Sequence, residues 1–81
     1  MILYTEKQLD QAWHSDCKRR TLNDKPWLSR ENYRQLFEGC LDFKVAGMHQ
    51  ESKYYLKTFD VHIPRYILET IEETITVESE E

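Results

Sequence analysis

Turn-forming residues are scarce in this chain, which has two glycines and two prolines among its 81 residues. A mainly β-sheet protein of this length needs many tight turns, and those turns draw on Gly, Pro, Asn and Asp. The scarcity favours a few long elements, which means helices. We therefore predict a mainly α fold, a compact bundle of three to four short helices.

The length limits how large a core the chain can bury. A chain of 81 residues accommodates one domain. Such a domain buries only about 60–65% of the surface that its unfolded chain exposes, so a second copy or a bound partner is one way to complete the core. We assign residues 1–77 to the helical domain. Residues 78–81, three glutamates around one serine, are predicted to be a solvated acidic tail.

The sequence lacks the features of a membrane or secreted protein. No apolar run approaches the ~18 residues that a membrane span requires. Residues 1–4 are apolar but the chain turns polar at Thr5, so it has no signal-peptide architecture. We expect a cytoplasmic protein in which Cys17 and Cys40 are reduced, buried thiols and not a disulfide.

The first helix is predicted over residues 6–20. Thr5, followed by Gln8, has the form of a capping box, in which the two side chains satisfy free backbone amides. An apolar stripe at helical spacing follows, and cations in the last turn oppose the negative end of the helix dipole. The stripe consists of Leu9, Ala12, Trp13 and Cys17, and the cations are Lys18, Arg19 and Arg20. Residues 21–28 are predicted to form a loop.

A second helix is predicted to begin after Ser29, a residue type that favours the N-cap position. Its apolar face consists of Tyr33, Leu36, Phe37, Cys40 and Leu41. Gly39 is a weak point inside this helix, costing about 1 kcal/mol against alanine. The helical pattern persists through Val45 and Met48, and the pair at residues 46–47 is the natural place for the helix to end or bend.

The segment from residue 51 to residue 63 has two possible structures. Tyr55, Phe59 and Ile63 recur every fourth residue, as in a helix that Ser52 could cap. The same segment could pair as a β-hairpin within residues 42–61, although its turn lacks the Asn-Gly or Asp-Gly that tight hairpins prefer. We favour the helix, and an α+β fold with this hairpin is the runner-up.

The last helix is predicted to follow Pro64, because proline is tolerated in a first helical turn. Its apolar stripe is Ile67, Leu68, Ile71 and Ile75, and the opposite face carries Glu69, Glu72 and Glu73. The stripe could pack internally or against the same helix of a second copy. In the predicted bundle this helix covers a helical hairpin formed by residues 6–45.

Histidine and cysteine occur in numbers that make a metal site worth testing. His14 and Cys17 lie one helical turn apart, and Cys40 with His49 could complete four zinc ligands. The second pair is separated by eight residues, which matches no usual zinc spacing. The chain also has no Gly-rich phosphate loop and no readable oxyanion turn. We predict no metal, no cofactor and no enzymatic activity.

Protein–protein interaction is the function that we predict. Aromatic residues make up 12% of the chain, more than a small core easily holds, and such residues anchor interfaces. Trp27 could be a docking residue in a loop, or it could fold back as a staple before the helix cap. The predicted protein-binding residues are Trp27, Leu28, Tyr33 and Tyr66. The expected partner is another protein or a second copy of this chain in a homodimer. The expected role is that of a regulator or an adaptor. In size, aromatic density and lack of a catalytic signature the chain resembles accessory proteins of large tailed phages.

Nucleic-acid binding is the alternative. Residues 17–34 hold six Lys/Arg against two acids, whereas residues 41–81 hold four against nine. Two helices flanking this basic segment have the outline of a helix-turn-helix, with Lys18, Arg19, Arg20, Arg30, Asn32 and Arg34 as the candidate contacts. Two features oppose this alternative: the connection is longer than the usual three or four residues, and the chain is acidic, with a pI near 5.3.

Overall fold

The computed structural model describes residues 3–79, whose backbone forms four α-helices and no β-strand. The helices are α1 (Glu6–Leu22), α2 (Arg30–Val45), α3 (His49–Thr58) and α4 (Arg65–Ser79). The predicted mainly helical fold is confirmed. The α+β runner-up is wrong, because residues 42–61 contain the end of α2 and the whole of α3 instead of a hairpin.

Helix α1 begins with the predicted capping box. The Thr5 hydroxyl accepts a hydrogen bond from the Gln8 amide at 3.1 Å, and the Gln8 side-chain oxygen accepts one from the Thr5 amide at 2.8 Å. The helix continues two residues beyond the predicted end, to Leu22. Asn23 is its C-cap, and both the backbone amide and the side-chain amide of Asn23 donate to the Arg19 carbonyl, at 3.1 and 2.8 Å.

Helix α2 begins where predicted, with the Ser29 hydroxyl accepting from the Asn32 amide at 3.1 Å. Gly39, in its interior, lies directly against the Tyr55 ring of α3, and a Cβ atom at residue 39 would overlap the tyrosine hydroxyl. The glycine therefore allows the two helices to approach closely, in addition to weakening α2. Gly47 has a φ of +77° and ends the helix in the predicted region.

Helix α3 confirms the preferred structure for the middle of the chain but begins earlier than Ser52. Its first residue is His49, directly after the left-handed turn at Gly47, and the preceding Met48 makes no side-chain cap bond. Ser52 is fully buried, and its hydroxyl donates to the His49 carbonyl at 2.8 Å. The predicted capping role of Ser52 is therefore wrong, because the turn starts α3 three residues before it.

Helix α4 completes the core with its apolar stripe. The Pro64 carbonyl accepts from the amides of Ile67 and Leu68 at 3.1 and 3.2 Å, which places proline at the start of the helix. Ile67 and Ile71 are buried in the same cluster as residues of α1 and α2. The stripe therefore packs internally. The cluster consists of Leu9, Ala12, Tyr33, Phe37, Cys40, Leu41, Val61, Ile63, Ile67 and Ile71.

The backbone of α4 includes residues 78 and 79, and residues 80–81 of the predicted acidic tail lie outside the described residues. Among the helices that the structure describes, none is both long enough and apolar enough to cross a membrane.

Candidate functional site

Asp16 is a fully buried acid on α1. Its carboxylate accepts hydrogen bonds from Arg20 Nε at 2.7 Å, from Arg19 Nη2 at 3.1 Å and from the His62 amide at 3.0 Å. A carboxylate without water needs such donors, because an unpaired buried charge is strongly destabilising. The bond to His62 also ties α1 to the connection between α3 and α4.

Asp60, which lies in the connection between α3 and α4, extends this cluster of charged side chains. Its backbone is in the left-handed region, with a φ of +53°, and its carbonyl accepts from Arg19 and Arg20 at 3.0 and 2.5 Å. Its carboxylate accepts from Lys25 Nζ and Arg19 Nη1, both at 3.1 Å. The hydrogen bond from Lys25, followed by the charge of Arg19, lowers the pKa of Asp60. We call Asp16, Arg19, Arg20, Lys25 and Asp60 the arginine network.

Arg30 and Arg34 are held by acids of α1. Arg30 donates to Asp10 and to Glu6, both at 2.5 Å. Arg34 donates through two nitrogens to the Glu6 carboxylate at 3.0 and 2.8 Å. These bonds, the ones from Arg34 first, lower the pKa of Glu6 to about 2. The pairs join the beginning of α1 to the beginning of α2.

The residues predicted to contact nucleic acid are therefore divided. Lys18 and Asn32 are exposed, but the four arginines each form an ion pair within the chain: Arg19, Arg20, Arg30 and Arg34. Phosphate binding gains its strength from cations that exchange counterions for phosphates. In this structure the arginines already have carboxylates as counterions, so a phosphate would have to displace them.

Two of the predicted protein-binding residues are used by the fold. Tyr33 is fully buried, and its hydroxyl donates to the His62 carbonyl at 2.7 Å. Burial, followed by the charge of Asp16, raises the pKa of Tyr33. Leu28 packs against the core and its carbonyl accepts from Trp13 Nε1 at 2.9 Å. The buried Tyr33 cannot serve as a surface anchor, because the helix spacing that predicted its aromatic face turns that face inward.

The other two predicted residues are on the surface. Trp27 is 61% exposed and Tyr66 is 60% exposed. The Trp27 indole does not enter the core; its Nε1 donates to the Thr21 hydroxyl at 2.7 Å. Leu22, which follows Thr21 in the chain, is also exposed. The role of Trp27 and Tyr66 in binding stays a prediction.

A group of neighbouring aromatic rings lies on α3 and the end of α2. The rings of Phe43 and Tyr55 have centroids 5.6 Å apart, and those of Tyr55 and Phe59 lie 4.8 Å apart. Tyr54 stands beside them and is 72% exposed. Together with polar neighbours they line an open groove of about 550 Å³. We call it the aromatic groove, and its lining residues are Phe43, Gln50, Glu51, Tyr54, Tyr55, Thr58 and Phe59.

The aromatic groove has an acidic side. Glu51 is one of its lining residues. Asp42 lies near enough to Tyr55 to contribute to the raised pKa of that phenol, after burial and the charge of Cys40. Both acids are exposed, and neither forms an ion pair with any residue that the structure describes. The groove therefore combines apolar ring faces with one carboxylate, that of Glu51, which has no cation paired with it among the described residues.

Sequence analysis missed this groove, although a signal for it was present. Tyr54 and Tyr55 are adjacent, and adjacent residues of a helix point about 100° apart. On a short helix with one buried face, both rings cannot be buried together. The spacing of Tyr55 with Phe59 suggested an inward stripe, but Phe59 follows the end of α3 and stays 52% exposed.

The candidate catalytic and metal-binding side chains are not assembled. Cys17 and Cys40 are both buried. Burial raises the pKa of the Cys17 thiol, and burial raises that of Cys40 to about 11, so thiolate formation is disfavoured at both. His14 is exposed beside the Trp13 ring. No group of three or more potential ligands converges among the side chains that the structure describes.

Comparisons of the chain with protein-family models, with curated proteins and with solved structures find no match.

Proposed function

We propose that this chain is a non-enzymatic protein-interaction domain that binds its partner through the aromatic groove. The observation that carries the proposal is the exposure of Tyr54 at 72% beside the rings of Tyr55 and Phe59. Tyrosine is among the residues that anchor protein interfaces, and contiguous apolar surface on a small protein marks a binding site. Stability alone gives no reason to keep these rings in water.

The non-enzymatic part of the proposal is supported by the state of the nucleophiles. The thiols of Cys17 and Cys40 are buried with raised pKa values. A catalytic cysteine instead needs a lowered pKa and access to substrate. The aromatic groove itself offers phenol rings, a glutamine, a threonine and one carboxylate, without a histidine or a lysine to exchange protons.

The alternative function, nucleic-acid binding through residues 17–34, has weaker support. Its arginines are already paired with carboxylates in the chain. The exposed aromatic rings lie beside acidic side chains, which would repel phosphates. A homodimer through the groove is also disfavoured, because a two-fold contact brings the same acidic surface of both copies together. The role of an adaptor for a different protein fits these charges better.

The test is affinity capture from a cell lysate with the tagged 81-residue chain, done with and without nuclease. Light scattering first gives the mass of the chain alone. We expect a protein partner that survives nuclease treatment and is lost with Tyr54→Ala and with Phe59→Ala. Trp27→Ala is the matched control, because it also removes a large exposed ring that lies outside the groove.

Three outcomes contradict the proposal. If nuclease treatment removes the captured material, the result favours the alternative function, nucleic-acid binding. If the partner is still captured with Tyr54→Ala but lost with Trp27→Ala, the protein-binding site is in the loop before α2 and not in the groove. A dimer mass that becomes monomeric with Tyr54→Ala identifies the groove as a contact between copies of this chain.

A further inference from the structure

The carboxylates of this protein fall into two groups. One group forms ion pairs within the chain. Glu6 and Asp10 each pair with an arginine at 2.5 Å, and Glu72 pairs with the buried Lys44 at 2.5 Å. Asp16 and Asp60 belong to the arginine network. Glu51 has no such partner among the described residues, although it lines the aromatic groove. Asp42 has none either, but it lines a separate cleft together with Tyr4 and Glu38. Asp24, Glu69 and Glu73 are also unpaired, but no aromatic groove adjoins them.

In the part of the chain that the structure describes, no Lys or Arg lines the aromatic groove. Lys53 is on α3, but it lines a separate cleft between α3 and α4, together with Leu56 and Leu68. We therefore expect a cation that pairs with Glu51 to come from a binding partner.

We infer that the aromatic groove receives an arginine side chain from a basic segment of the partner protein, with Glu51 pairing its guanidinium. This inference rests on the proposed function and names the chemistry of the partner. A guanidinium is planar, so it stacks on the faces of Tyr54 and Tyr55 and is attracted by their negative ring faces. Its three methylenes cover the apolar floor, and its donors reach carboxylate oxygens at the side.

Other occupants fit less well. Single-stranded nucleic acid stacks bases on exposed rings, but its phosphates would approach Glu51. A second copy of this chain brings an equally acidic surface, with residues 41–81 holding nine acids against four cations. A purely apolar segment fills the volume yet leaves the Glu51 carboxylate near a dehydrated interface without a donor. A basic protein segment satisfies the rings and the carboxylate together.

The test measures binding of fluorescein-labelled peptides to the full-length protein by fluorescence anisotropy. One probe is a short Gly/Ser peptide carrying several arginines, and its matched probe has citrulline, which is neutral and almost the same shape, at the same positions. We expect the arginine probe to bind about tenfold more tightly than the citrulline probe, with a lysine probe between them.

Variants locate the site. Glu51→Gln and Tyr54→Ala should each weaken the arginine probe by roughly fivefold to tenfold, and Asp42→Asn by a smaller factor. Glu73→Gln is the matched control, since Glu73 is also an exposed, unpaired acid but lies on α4, away from the groove. Circular dichroism should show unchanged helix content, because the substituted side chains are exposed.

Equal binding of the citrulline probe overturns the inference, and so does an equal loss with Glu73→Gln, which would indicate non-specific charge attraction. A labelled oligothymidine that binds more tightly than the arginine probe assigns the rings to nucleic acid. If Tyr54→Ala abolishes lysate capture while Glu51→Gln has no effect on it, the arginine inference fails and the proposed function stands. If Tyr54→Ala leaves capture intact, both fail.

Discussion

In the arginine network a fully buried carboxylate is surrounded by three donors, whereas in the aromatic groove the exposed carboxylate of Glu51 has no cation paired with it among the described residues. The network pairs Arg19 and Arg20, which the sequence predicts as nucleic-acid contacts, with carboxylates of the chain, and the groove exposes aromatic rings that the sequence does not predict as a binding site. Composition alone therefore cannot separate residues that stabilise the fold from residues that are available to a partner. What separates them is whether each charge or ring already has its complement within the chain.

The largest effect is expected from Asp16→Ala, which removes the acceptor of the arginine network. Arg20 would remain almost buried without its nearest counterion, with Asp60 left at 4.0 Å, so the free energy of unfolding should fall by about 3 kcal/mol. Urea denaturation followed by circular dichroism measures it. Glu73→Ala is the matched control and should change stability by less than about 0.5 kcal/mol. Equal effects of the two variants would mean that the network contributes nothing beyond an exposed charge.

A smaller loss is expected from Gly39→Ala, which tests whether the groove has a structural support beneath it. The added methyl group overlaps Tyr55. Overpacking costs about 1–3 kcal/mol, while alanine gains about 1 kcal/mol of helix propensity. We expect a net loss of roughly 1 kcal/mol, measured by urea denaturation. In a Tyr55→Phe background the loss should shrink, because the hydroxyl is the nearest atom. A stabilised Gly39→Ala variant would show that α3 moves away at no cost.

The ion pairs of Glu6 should make the stability of the fold depend on pH. The pKa of Glu6 is lowered from 4.5 to about 2 in the folded protein, so its contribution is present above the unfolded value. It is lost as the pH falls from 4.5 towards 2. Urea midpoints measured across this range should decrease, and Glu6→Gln should reduce the decrease. Glu51→Gln is the control and should leave the slope unchanged.

The smallest effect is expected from Tyr54→Ala. The ring is exposed and makes no contact in the buried cluster, so the free energy of unfolding should change by less than about 0.5 kcal/mol. Thermal and urea denaturation both measure it. If this variant abolishes partner capture without loss of stability, the groove differs from the arginine network in serving binding and not the fold. A loss of more than 1 kcal/mol would make Tyr54 a structural residue and remove the contrast.

Local signals in the sequence predicted much of the fold. Thr5 with Gln8, and Ser29, are caps that act within a few residues, and the structure has them where the sequence places them. The start of α3 was predicted wrongly because the conformation of Gly47, and not a capping side chain, fixes it. Short-range chemistry is readable from a single sequence, whereas a turn that depends on backbone conformation is not.

The candidate site was less predictable because its determinants are distant in sequence. Arg19 donates a hydrogen bond to Asp60, 41 positions later in the sequence, and Tyr33 donates one to the His62 carbonyl, 29 positions later. No periodicity encodes these meetings, so Arg19 was assigned to nucleic acid and Tyr33 to a protein interface. The groove was missed for the same reason, since its exposure depends on which side of α3 faces α2. Only the Tyr54–Tyr55 doublet hinted that one ring must remain outside.

The two cysteine side chains give the folded chain a built-in reporter of its own opening. Cys17 on α1 and Cys40 on α2 are buried. A thiol reagent therefore reaches each sulfur only when the packing around that helix separates. The ratio of the two labelling rates would distinguish opening of one helix from opening of the whole bundle, and no additional cysteine would have to be introduced by mutation.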